Sequence, residues 1–78
     1  MNWRELIHAD PAVLGGKPVV RGTRVSVELL LERLGDGWTP EAILQSYPHL
    51  PQGAIQAALA FAHDVIADQP EAARAVAA

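Results

Sequence analysis

The sequence predicts a mainly α domain: three helices preceded by a short N-terminal β-hairpin. Three observations carry that prediction. Apolar residues recur at helical spacing in three separate stretches after residue 26. β-branched residues gather on both sides of Gly22-Thr23, and turn residues mark the boundaries between the patterned stretches.

In chain order, Asp10-Pro11 and Gly15-Gly16 are turn punctuation, and Pro18 opens an extended segment. Val19, Val20, Val25 and Val27 flank Gly22-Thr23, which suits strands near 18–21 and 24–27 joined by a tight turn with glycine at its first central position. The hairpin then spans about 18–27, and Leu6-Ile7 can add a third strand. Ser26 is placed to cap a helix over about 27–35, where Val27, Leu30, Leu31 and Leu34 share one face and Gly35 and Gly37 mark the end. Thr39-Pro40-Glu41 supplies a cap, a first-turn proline and a first-turn acid for a second helix over about 40–47, which Pro48 stops. A third helix over about 52–68 follows Pro51, with Ile55, Ala58, Leu59, Ala62, Val65 and Ile66 forming its expected apolar stripe. A later helix following an earlier one across a short turn is the order found in helix-turn-helix domains. Plain three-helix packing accounts for the same pattern.

These elements make one domain over 1–68. Residues 69–78 read as a tail that frays or folds on a partner, since "PEAARAVAA" favours helix but is too short to hold one alone. A chain of 78 residues buries only a small core, and that core, with exposed hairpin edges, predicts a homodimer. No apolar run approaches the length of a membrane span, and the N-terminus lacks a secretory pattern, so a cytoplasmic protein with no membrane partner is expected.

Net charge is −3, unevenly distributed: residues 1–24 carry four cations against two acids, and residues 25–78 carry two cations against seven acids. A basic front end on an acidic body can meet a polyanion locally, without the overall basic footprint of most nucleic-acid binders.

The stretch "GGKPVVRGTR" is not a phosphate-binding loop, because Pro18 follows Lys17 where such a loop needs a hydroxyl residue leading into a helix. His8, His49 and His63 show no ligand spacing and cysteine is absent, so neither a metal nor a cofactor is expected. Ser26 and Ser46 have no nucleophile motif around them. No catalytic residue emerges, and the expectation is a protein that is not an enzyme. Candidate DNA contacts are Lys17, Arg21 and Arg24 on the hairpin, with Gln52 and Gln56 on the third helix, since glutamine can pair with adenine in the major groove. Asp64 and Asp68, with no Lys or Arg on that helix, work against phosphate attraction. Bracing of the hairpin by ion pairs of Arg21 and Arg24 with nearby acids is the competing explanation.

The stretches "DPAVLGGKPVVRGTRVSV", "LLLERLGDGWTPEAILQSYPHL" and "AIQAALAFAHDV" together resemble the domain-of-unknown-function family numbered 433. The residues that carry the resemblance are Asp10, Pro11, Gly15, Gly16, Lys17, Pro18, Arg21, Gly22, Thr23, Arg24 and Val25. Gly37, Ile43, Leu44, Tyr47, Pro48 and Leu50 follow. The resemblance implies a helix-turn-helix-like, homeodomain-like fold. It also implies the role of antitoxin in a type II toxin–antitoxin pair, beside a nuclease toxin related to PIN domains; operator DNA is a second candidate partner that the resemblance does not itself imply. Arg74, with Val76 near it on the tail, is the candidate toxin contact: a cation brought into a nuclease's carboxylate cluster would displace its metal or block the RNA phosphate. The alternative is a stand-alone DNA-binding transcriptional regulator. One departure is "PQGAI" before the third helix, where the family often has Ser or Thr followed by acids; Gly53 there weakens the first turn by roughly 1 kcal/mol relative to Ala.

Overall fold

The computed structural model describes residues 2–68, and Arg74 and Val76 lie outside them. A single 3₁₀ turn, Trp3–Glu5, leads into strand β1, Ile7–Ala9. A second 3₁₀ turn, Leu14–Gly16, precedes strand β2, Pro18–Val20. Helices α1, Val27–Gly35, α2, Pro40–Ser46, and α3, Ala54–Ala67, complete the domain. The architecture is therefore three helices with a two-stranded antiparallel N-terminal hairpin, the fold class read from the sequence.

The pairing of the hairpin differs from the expected one. β2 pairs with β1, in the register Ile7 with Val20, His8 with Val19 and Ala9 with Pro18. The strand expected at 24–27 is reduced to one bridge between Val19 and Ser26 and a 2.9 Å bond from Val20 N to Val25 O. Two local demands prevent it from extending. Gly22, at φ 82°, and the Thr23 side chain turn the chain at once: Thr23 Oγ1 donates to Val20 O at 2.8 Å and accepts from Val25 N at 3.0 Å. Ser26 is then committed as the α1 cap, its Oγ accepting from Leu29 N at 2.9 Å.

α1 ends where its glycines indicated. Gly37, at φ 94°, donates to Leu34 O at 3.1 Å while Trp38 N donates to Arg33 O at 3.0 Å, the paired bonds of a Schellman cap. α2 begins at its proline under Thr39, whose Oγ1 accepts from Ala42 N at 3.1 Å. α3 starts at Ala54 rather than 52, because Gly53 sits in the left-handed region at φ 85° and carries no side chain to cap the helix.

The core joins Ile7 and Val20 of the hairpin to Val27 and Leu30 of α1, Ile43 of α2, Leu50, and the α3 residues Ala54, Ile55, Ala57 and Ala58. Three alanines on the buried face of α3 keep its backbone close to the rest of the core, without long side chains to hold it away. This choice of face corrects the expected stripe. Ile55 and Ala58 are buried, but Leu59, Val65 and Ile66 are exposed, Ile66 at 54%. The second half of α3 extends past the core and is held chiefly by the N-terminal turn: the rings of Trp3 and Phe61 meet edge to face at 4.8 Å.

Candidate partner-binding groove

The pleat of the hairpin sends Ile7 and Val20 toward the helices and His8 and Val19 to the opposite face. His8 therefore stands at the mouth of a groove of about 640 Å³. One wall is the turn at residues 22–25 and the other is the α2–α3 connection at residues 46–50, with Asp10 and Val13 completing the hairpin side. Both walls are built locally. The Thr23 bonds fix the first, and the second is held by Tyr47 N donating to Ile43 O at 2.9 Å and Leu50 N donating to Tyr47 O at 3.1 Å. Val13, Val25, Tyr47 and Leu50 give the groove its apolar surface.

The polar groups around it have distinct states. Asp10 is occupied by its own turn, Oδ1 accepting from Ala12 N at 2.9 Å. Arg21 lies outside the groove lining and braces the hairpin, Nη1 donating to His8 Nδ1 at 3.3 Å and Nη2 to Arg4 O at 3.2 Å. A guanidinium only donates, so His8 Nδ1 is the acceptor and its ring proton sits on Nε2. Arg24 is exposed and makes no hydrogen bond or ion pair among the described residues.

The candidate DNA contacts are dispersed. Lys17 pairs with Glu28 at 3.4 Å on an exposed surface, a contact of little energetic weight that still offsets the lysine's charge. Arg21 is engaged as a brace, though by an imidazole and a carbonyl rather than an acid. Arg24 alone of the three lines the groove. Gln52 and Gln56 line an adjoining depression of about 440 Å³ with Pro40, Leu44 and Ile55, which shares Pro48 and Leu50 with the groove. The cations and the glutamines thus do not share one site.

Among the described residues, Asp64 on α3 is the group whose proton affinity the fold lowers. A hydrogen bond from Trp3, then one from His63, holds its carboxyl below the usual carboxylate range. It lies outside the groove lining. Among the described residues, no cluster of three or more His, Asp or Glu could hold a metal ion, and no helix is long and apolar enough to cross a membrane.

The sequence alone missed His8, Val13 and His49 as members of one site. A signal was nevertheless present: "RGTRV" and "YPHL" lie within two of the stretches that carry the family resemblance, and residues of both line the groove.

Fold and groove together define a small three-helix domain in which the turn between β2 and α1 and the connection between α2 and α3 line one groove. The chain belongs to the family described as protein of unknown function (DUF433), whose model matches residues 7–62. It is similar to the uncharacterized protein y4eO of Sinorhizobium fredii (strain NBRC 101917 / NGR234), 39% identical over 59 residues that cover 76% of this chain and 27% of that protein. The chain thus spans about a quarter of the length of that curated relative. The crystal structure of a DUF433 member protein from Anabaena variabilis ATCC 29413 matches with a TM-score of 0.71 at 28% identity, covering 94% of this chain and 69% of that one.

Proposed function

We propose that this protein is a binding module without bond-making chemistry of its own. In this reading it is the antitoxin of a type II pair: a cytoplasmic homodimer that neutralises a PIN-like nuclease toxin and uses operator DNA as a second partner. The toxin reading comes from the family resemblance. The observation that supports the binding role is the groove itself, where two of the resembling blocks meet on an apolar surface lined also by Arg24, which has no hydrogen bond or ion pair among the described residues.

The runner-up is a stand-alone DNA-binding regulator. Exposed Gln56 and His63 on α3 speak for it, since both can reach base edges. Against it, α3 has no Lys or Arg, and Lys17 and Arg21 are engaged within the domain.

Coexpression with a PIN-like nuclease encoded beside this protein's gene tests the first reading, and the absence of such a neighbour counts against it. A stable complex that suppresses that nuclease's activity is expected. No complex, combined with duplex binding that falls steeply with salt, would instead select the regulator.

A further inference from the structure

We infer that the groove receives an extended peptide segment of a partner protein, one carrying a carboxylate next to an apolar side chain, with the carboxylate meeting Arg24. The inference rests on the binding-module reading and specifies its ligand.

Chemical complementarity selects this occupant. Val13, Val25, Tyr47 and Leu50 offer an apolar floor that rewards burial of a hydrophobic side chain. Arg24 lines the same groove with its donors unused among the described residues, and its planar fork matches a carboxylate. His8, its Nδ1 occupied by Arg21, can offer only Nε2–H as a second neutral donor. The acid in the groove, Asp10, keeps its charge while its Oδ1 accepts from Ala12 N, so the partner's carboxylate is assigned to Arg24 and not to the Asp10 side of the groove. A nucleic-acid backbone calls for several cations in a row, whereas this groove lines its apolar floor with one. Both walls are chain turns with exposed residues at 22, 24, 46, 48 and 49, so a segment can lie between them without threading into an enclosed cavity.

The test uses the full chain, ¹⁵N-labelled, titrated with the blocked peptide acetyl-Leu-Pro-Leu-Glu-amide and with the same peptide bearing Gln in place of Glu. Amide shifts at Thr23, Val25, Tyr47 and Leu50 are expected, with the Glu peptide bound about threefold to fivefold more tightly, the effect of one exposed ion pair. Arg24→Gln should erase that preference while leaving the remaining spectrum in place. Arg24→Glu should transfer it to a peptide ending in Lys, a reversal that a merely structural role for Arg24 would not produce. Equal affinity for the Glu and Gln peptides, shifts confined to other faces, or no binding at millimolar peptide would overturn the inference. So would groove shifts driven by protein concentration alone, which assign the site to a second copy, or by duplex DNA. The two proposals separate cleanly. Toxin capture that survives Arg24→Glu removes this inference and leaves the antitoxin reading, whereas carboxylate selection without toxin capture does the reverse.

Discussion

Trp3 Nε1 donates a 2.7 Å hydrogen bond to Asp64 Oδ2, joining the N-terminal turn to the last turns of α3 across 61 residues of sequence. The same indole meets Phe61 edge to face, and Arg4 lies over its ring at 4.4 Å. One side chain therefore supports the part of α3 that the core does not reach.

Replacing Trp3 should show this division of labour. Trp3→Phe keeps an aromatic ring and loses the donor, for an expected cost of about 1 kcal/mol. Trp3→Ala loses both and should cost about 2–3 kcal/mol. Urea unfolding measures the global change, and hydrogen exchange should show faster opening of the second half of α3 than of Ala54–Ala58.

Asp64 makes the same contact dependent on pH. Its folded value is lowered, chiefly by the Trp3 hydrogen bond, so the unfolded chain binds the proton more readily than the folded one. The stabilisation is fully present above the ordinary aspartate value of roughly 3.9 and is lost as pH falls through the lowered folded value. The urea midpoints of wild type and Asp64→Asn should therefore differ most near neutrality and converge at strongly acidic pH.

Thr23 holds the groove's hairpin wall through one hydroxyl that both donates and accepts. Thr23→Val preserves the shape and removes both bonds, with an expected loss of about 1–3 kcal/mol. Thr23→Ser should retain most of that stability. If the two variants unfolded at the same urea concentration, the hydroxyl would not be what closes the turn.

The face chosen by α3 is testable by truncation. Leu30 is fully buried opposite that helix, so Leu30→Ala should cost about 2–5 kcal/mol. Ile66 is 54% exposed, and Ile66→Ala should change stability by no more than about 0.5 kcal/mol. A large effect at Ile66 in the monomer would mean that the C-terminal stripe is buried after all.

The helices were legible in the sequence because their signals are local. Ser26 and Thr39 cap the helices they precede, Pro40 opens α2, and Gly37 closes α1 with the backbone geometry expected of it. Capping is a matter of nearby donors and acceptors, so a few adjacent residues carry the information. The onset of α3 was less legible because Pro51 and Gly53 compete to mark it, and the left-handed conformation of Gly53 prevails.

By itself the sequence determined the fold class, the three helices and the absence of a phosphate-loop pattern, all consequences of spacing and turn chemistry. Tertiary structure alone decided that β2 pairs with β1, that Ala54, Ala57 and Ala58 face inward while Leu59 and Ile66 do not, and that the 22–25 and 46–50 turns form one groove. Strand partners, the inward face of a helix and the walls of a cleft are set by contacts between residues far apart along the chain. Periodicity names the apolar residues of α3, but only packing against α1 and the hairpin selects which of them lie inside.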